Sequence, residues 1–187
     1  MRLRDYQQDI FSKSSQAFID GAKGICCVLP CRSGKSYIMA RMIQGAKGNV
    51  LVLAHRHTLI SQHKELLESL GVLTNKVRVE SVFTEANRLD EYKPTDVDLI
   101  IVDEAHLSEA KSYRKVCEYY NCRRVLFTAT PARLDGKPLT LADTLITGIT
   151  AKELIKMGAI SDYDYYAPDL NINTDNVDMV AGEYNNG

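Results

Sequence analysis

A chain of 187 residues, 45% hydrophobic and 25% charged, has the composition of an ordinary globular domain and length enough for one sizeable core, which excludes a mainly disordered or low-complexity chain. No apolar run approaches the roughly 18–20 residues of a membrane helix, and residues 1–13 lack the apolar centre of a secretory signal; no membrane partner and a cytoplasmic location are expected. The net charge of −1 hides an asymmetry: residues 1–64 hold ten Lys/Arg against three Asp/Glu, and the remainder holds thirteen against twenty-one. A basic first third is either one face of a binding surface or scattered solvated charge.

Residues 24–29 are continuously apolar and read as a buried strand. Residues 36–46 follow as a helix with Ile38, Met39, Met42 and Ile43 on one face. Residues 49–54 form a second strand. Residues 58–70 form a helix whose stripe is Leu59, Ile60, Leu66, Leu67 and Leu70. Strands are expected at 76–81, 98–102 and 124–127. Strands that are apolar throughout and alternate with helices imply a parallel sheet covered on both faces. After Pro131 the rhythm changes. Residues 136–138 form a turn, and residues 141–146 and 151–157 read as short helices, the second ended by Gly158. Residues 163–166 are a tyrosine-rich extended piece. Residues 169–187, with four acidic residues, five Asn and no basic residue, read as a linker or frayed end. The five cysteines, Cys26, Cys27, Cys31, Cys117 and Cys122, show no C-x-x-C spacing and read as reduced thiols.

Three segments carry chemistry. Leu29-Pro-Cys-Arg-Ser-Gly-Lys-Ser36 lies between a predicted strand and a predicted helix. A phosphate cradle needs that context, because backbone N–H groups at a helix N-terminus point at the anion. Cys31, Arg32, Ser33 and Gly34 would line the cradle. Lys35 would reach the β/γ phosphates, and the Ser36 hydroxyl would hold Mg²⁺. The leading glycine of the G-x-x-x-x-G-K-[ST] pattern is Leu29 here. Leu99-Ile-Ile-Val-Asp-Glu-Ala-His106 brings two adjacent carboxylates to the C-terminal end of a strand, where ligands sit in open α/β sheets. Asp103 would hold Mg²⁺ and Glu104 would polarise an attacking water. Phe127-Thr-Ala-Thr-Pro-Ala-Arg133 places the hydroxyls of Thr128 and Thr130 where they are expected to hydrogen-bond that carboxylate cluster.

In this order the segments resemble the first motor lobe of superfamily-2 DEAD/DEAH helicases and translocases, over most of residues 1–168, in the branch that includes XPB-like and restriction-type translocases. Asp103-Glu-Ala-His106 matches motif II and Thr128-Ala-Thr-Pro131 matches motif III. The resemblance implies a RecA-like P-loop fold: a three-layer α/β sandwich with a mainly parallel central sheet, spanning 1–135. Residues 136–168 become a lead-in toward a second lobe. It implies ATP and Mg²⁺ as cofactors, Lys35 and Glu104 as catalytic residues, and His106, Thr128 and Thr130 as coupling residues. Leu3-Arg-Asp-Tyr-Gln7 is similar to the adenine-recognition segment, with Gln7 on the base and Arg4 beside it. Val52–Leu59 is similar to motif Ia, which assigns Arg56 to the nucleic-acid backbone, and Ser81-Val-Phe-Thr84 assigns Thr84 to a phosphate.

The departures are Arg32 where the family carries Gly and Ser36 where it carries Thr. The second lobe, which supplies a transition-state arginine, is not expected within these residues, so it must act in cis or in trans. Since such an arginine contributes about 10³–10⁵ in rate, the chain alone is expected to turn ATP over poorly. The partner implied is nucleic acid, with DNA favoured over RNA, held mostly through phosphates. Two other readings stand beside this one: a different P-loop phosphotransferase, and a single-lobe binding module without turnover.

Overall fold

Six parallel strands build one sheet in the order β3-β2-β4-β5-β1-β6. The computed structural model describes residues 2–105, 110–130 and 139–162, together with the backbone of Met179–Val180 and Glu183–Tyr184. His106, Pro131, Arg133 and the segments 135–137 and 163–166 lie outside the described residues.

In chain order the elements are α1 (Asp5–Ile19), β1 (Gly24–Val28), α2 (Lys35–Gly45), β2 (Val50–Ala54), α3 (His57–Ser69), β3 (Val77–Ser81), α4 (Val82–Asn87), a 3₁₀ turn (Leu89–Glu91), β4 (Leu99–Val102), α5 (Lys111–Tyr120), β5 (Arg123–Thr128), β6 (Thr144–Thr147) and α6 (Ala151–Lys156). Every residue of β1 and β2 is buried, because both faces of the sheet are covered. Alternate strand residues serve opposite cores. Ile25, Cys27, Val52, Ile101 and Phe127 pack with Ile10, Ile38 and Ile60 of α1–α3. Cys26, Leu51, Leu53, Ile100 and Leu126 pack with Val82 of α4 and Tyr113 and Val116 of α5. Each of the Val, Leu, Ile and Phe side chains among them stabilises the fold by about 1.5–3 kcal/mol. This is the three-layer α/β sandwich with a parallel centre that the sequence implies.

One expectation is corrected. Residues 141–146 are not a helix: Thr144–Thr147 is strand β6, paired in parallel with β1 from Ile25↔Thr144 to Val28↔Thr147. Ile146 is buried and Leu145 is 58% exposed, the period-2 pattern of an edge strand covered on one side. The lead-in assigned to 136–168 therefore contributes a strand to the lobe's own sheet. In the tail, Met179–Val180 and Glu183–Tyr184 pair as a short antiparallel ribbon.

All five cysteines are free. Burial pushes the Cys26 thiol up to about 11, and Cys27 and Cys117 up to about 12, so these thiols stay protonated core groups. No helix among the described residues is long and apolar enough to cross a membrane.

Candidate nucleotide and metal site

Because all six strands run the same way, the loops that follow them gather on one edge. The phosphate-loop sequence leaves β1, Arg56 follows β2, Thr84 follows β3, Asp103 and Glu104 follow β4, and Thr128 ends β5. An apolar cavity of about 470 Å³ between Phe11, Phe18 and Met42 opens at the opposite edge beside Asp98 and Arg123, away from these residues.

The loop is tied down at both ends. At its start the Leu29 N–H donates to the Thr128 carbonyl at 2.9 Å. At its end Gly34 caps α2 with φ 79°, a left-handed conformation that favours glycine. Lys35 and Ser36 form the first turn of α2 and are half-buried, where the helix dipole and unpaired N–H groups favour an anion. Cys31 and Arg32 are exposed at the apex. Arg32 also lines an open cavity of about 600 Å³ shared with Ile155 and residues 158–162.

Gln7 comes to this loop from α1. Its Nε2 donates to the Ser33 carbonyl at 3.1 Å, and its Oε1 accepts the Arg4 N–H at 3.0 Å. The Tyr6 hydroxyl donates to the same Ser33 carbonyl at 2.8 Å. Both ends of the buried Gln7 amide are thus engaged within the protein. Arg4 is exposed, with Nη1 3.4 Å from the Tyr6 hydroxyl.

Asp103 is buried and firmly held. Its Oδ1 accepts the Glu104 N–H at 3.0 Å, and its Oδ2 lies 3.0 Å from Nε2 of His63, a buried residue of α3. Its own N–H donates to the Leu53 carbonyl of β2 at 3.1 Å. Glu104 has φ 55° and Arg32 has φ 61°. Non-glycine residues in this region cost about 1–3 kcal/mol each and concentrate at functional sites. The remaining such residue among those described, Asn121, merely caps α5.

The hydroxyls of Thr128 and Thr130 do not hold Asp103 as expected. Thr128 Oγ1 donates to the Thr130 carbonyl at 2.9 Å and accepts its N–H at 3.1 Å, closing a local turn. Arg56 is exposed at the N-cap of α3, and Thr84 is half-buried in the first turn of α4. The α4 start is fixed by Ser81, whose Oγ accepts the Phe83 N–H at 3.2 Å. Below it, the buried Glu85 is bonded by Arg78 at 2.9 Å and by the Tyr120 hydroxyl at 2.5 Å.

Three buried polar atoms have no hydrogen-bond partner among the described residues: Ser33 Oγ, His55 Nδ1 and the Tyr113 hydroxyl. Ser33 is in the phosphate loop and His55 precedes Arg56. Tyr113 has its phenol pKa raised first by burial and then by the charge of Asp103. Buried unpaired polar groups are rare in folded proteins, and here all three border the same edge. The residues fit a nucleotide with Mg²⁺. Mg²⁺ takes one or two protein oxygens beside phosphates and waters, and Ser36 and Asp103 supply a hydroxyl and a carboxylate rather than a complete cage. No group of three or more His, Cys, Asp or Glu among the described residues could hold a metal ion by itself. His63 was missed in the sequence, although it stands at i+3 from Ile60 and i−4 from Leu67, on the face that turns inward.

The Type III restriction enzyme res subunit family (ResIII) matches residues 1–87 and 72–133. A 51.5 kDa protein of a Lactococcus phage is 36% identical over 164 residues, covering 84% of this chain and 35% of its own length. The DNA 3'-5' helicase XPB of Mycobacterium tuberculosis is 29% identical over 157 residues, covering 73% of this chain and 28% of its own. The helicase domain of Pyrococcus furiosus Hef superposes with a TM-score of 0.63 at 23% identity, over 78% of this chain and 37% of that one. The chain thus spans about a third or less of the length of these curated relatives. With its parallel sheet, its phosphate loop and its Asp-Glu pair on one edge, the chain belongs to the ResIII family and is a first RecA-like lobe of a superfamily-2 helicase of the XPB-like, restriction-type branch.

Proposed function

We infer that this lobe binds ATP with Mg²⁺, hydrolyses it, and drives movement along nucleic acid when a second lobe closes on it. The observation that carries this reading is one edge of one sheet bearing both the left-handed Gly34 that opens α2 and the buried, doubly bonded Asp103. The first-turn N–H groups of α2 and the Lys35 ammonium bind the phosphates. The Ser36 hydroxyl and the Asp103 carboxylate hold Mg²⁺, which neutralises charge on the phosphate oxygens when bound. Glu104, next along the chain, accepts a proton from the attacking water. Arg56 and Thr84, on the loops after β2 and β3, contact the backbone of the nucleic acid, with DNA favoured over RNA, and His106, Thr128 and Thr130 couple the two sides. A second lobe, in cis or in trans, supplies the transition-state arginine.

The test is ATP hydrolysis by the 187-residue chain with and without single-stranded DNA, double-stranded DNA and RNA, with Glu104→Gln as control. The expected result is measurable nucleotide binding, slow turnover, and loss of that turnover in the control. Absence of nucleotide binding, or turnover unchanged by Glu104→Gln, refutes the reading.

A further inference from the structure

Asp103 sits at the end of β4, yet the side chain that grips its carboxylate comes from a different layer. His63 is on the inward face of α3, between Ile60 one turn before it and Leu67 one turn after, and only 6% of it is exposed. Its Nε2 lies 3.0 Å from Asp103 Oδ2. An ionised carboxylate only accepts, so Nε2 carries the hydrogen in this contact. The other oxygen, Oδ1, accepts the Glu104 N–H at 3.0 Å. One donor on each oxygen fixes the plane of the carboxylate. Each oxygen still keeps a lone pair directed away from its donor, so the carboxylate stays able to bind a cation or a cation-bound water.

We propose that His63 is a positioning residue for Mg²⁺: by donating from Nε2 to Asp103 Oδ2 it holds the carboxylate in the orientation that receives the metal of the nucleotide complex. The proposal rests on the nucleotide–metal reading above. It is the hydrogen-bonded support that oxygen ligands of metals generally need, where loss of the supporting group weakens metal binding by about 10–100-fold. Neither the phosphate loop nor the Asp-Glu pair predicts a histidine seven residues into α3.

The test uses the full 187-residue chain and the fluorescent nucleotide mant-ADP, titrated once with MgCl₂ and once in EDTA at fixed pH. In His63→Leu, the Mg²⁺ concentration for half-maximal nucleotide binding rises about 10–100-fold while affinity in EDTA stays within about twofold of the parent. In His63→Gln, whose amide reaches as far as Nε2, the Mg²⁺ requirement returns close to that of the parent. If His63→Leu does not fold, the comparison of His63→Gln with His63→Asn carries the same split, since the shorter amide reaches only as far as Nδ1. An unchanged Mg²⁺ requirement in the variants lacking the donor overturns the proposal. So does an equal loss in Mg²⁺ and in EDTA, which assigns His63 to packing alone. A parent chain whose mant-ADP binding ignores Mg²⁺ overturns the underlying nucleotide–metal reading, and that failure is seen before any variant is made.

Discussion

Gly34 is where loop conformation and side-chain packing meet, and the structure gives both terms. At φ 79° a Cβ is disfavoured by about 1–2 kcal/mol, offset in part by the roughly 0.4–1 kcal/mol that alanine gains over glycine through a stiffer unfolded chain. A Cβ built at Gly34 stands 2.5 Å from Gln7 Nε2. That nitrogen cannot move without losing its bond to the Ser33 carbonyl and disturbing the bond between Oε1 and the Arg4 N–H, worth about 0.5–1.5 kcal/mol each. Gly34→Ala is therefore expected to destabilise the nucleotide-free protein by about 2–4 kcal/mol, a fall in Tm of roughly 2–4 °C per kcal/mol at this chain length. Gln7→Ala removes the obstacle as well as its hydrogen bonds, for about 1–2 kcal/mol. In the double variant the next atoms, at Tyr37 Cδ2, are 3.8 Å away, an ordinary contact. The two losses then overlap: the pair costs about 1–2 kcal/mol less than the sum of the singles. Urea unfolding of the four proteins measures this directly. Strict additivity refutes the argument, since it means Gln7 does not occupy the space over Gly34.

Three further outcomes follow from other parts of the lobe. Gly148→Ala places a Cβ 2.6 Å from Leu29 Cδ2 and 3.0 Å from Ile10 Cδ1, both in fully buried residues, and is expected to destabilise by about 1–3 kcal/mol through overpacking, read from urea midpoints. Arg78→Ala leaves the Glu85 carboxylate, 2% exposed, with the Tyr120 hydroxyl as its remaining bonded partner described here; because Arg78 is itself 29% exposed, a loss near the lower end of the roughly 3–5 kcal/mol for a broken buried pair is expected, and Arg78→Ala with Glu85→Leu should recover part of it. Asp143 is held below the ordinary aspartate range: burial works against this, but the N–H groups of Lys23 and Gly24 and the Thr144 hydroxyl outweigh it. A depressed carboxyl pKa contributes stability above the unfolded value of about 4 and loses it as pH falls through the folded value, so Tm measured from pH 5 down to 3 should fall less steeply in Asp143→Asn than in the parent.

The elements legible in the chain were those whose apolar pattern is set by simple burial. β1, β2 and β4 are apolar on both faces because helices cover both, and the stripe of Ile38, Met39, Met42 and Ile43 needs only one buried face. The order of the phosphate-loop and Asp-Glu segments is equally local, since each follows directly from a strand end. Residues 141–146 misled because Leu141, Leu145 and Ile146 fit a helical spacing as well as a strand; pairing with β1 decided the matter, and no local pattern contains that pairing. The Thr128 hydroxyl turned to the backbone of Thr130 because a two-residue turn is closer than any neighbour.

The burial of β1, β2 and β4, the phosphate-loop segment and the acidic pair at a strand end were determined by the sequence alone, because each depends on a few adjacent residues. The grip of His63 on Asp103, across forty residues and two layers, was decided only when α3 packed on the sheet. The same holds for the seating of Gln7 over the phosphate loop and for the capture of β6 by β1. These contacts join segments far apart in the chain, and the hydrophobic burial that brings them together specifies that a face must be covered, not which polar atom will meet which.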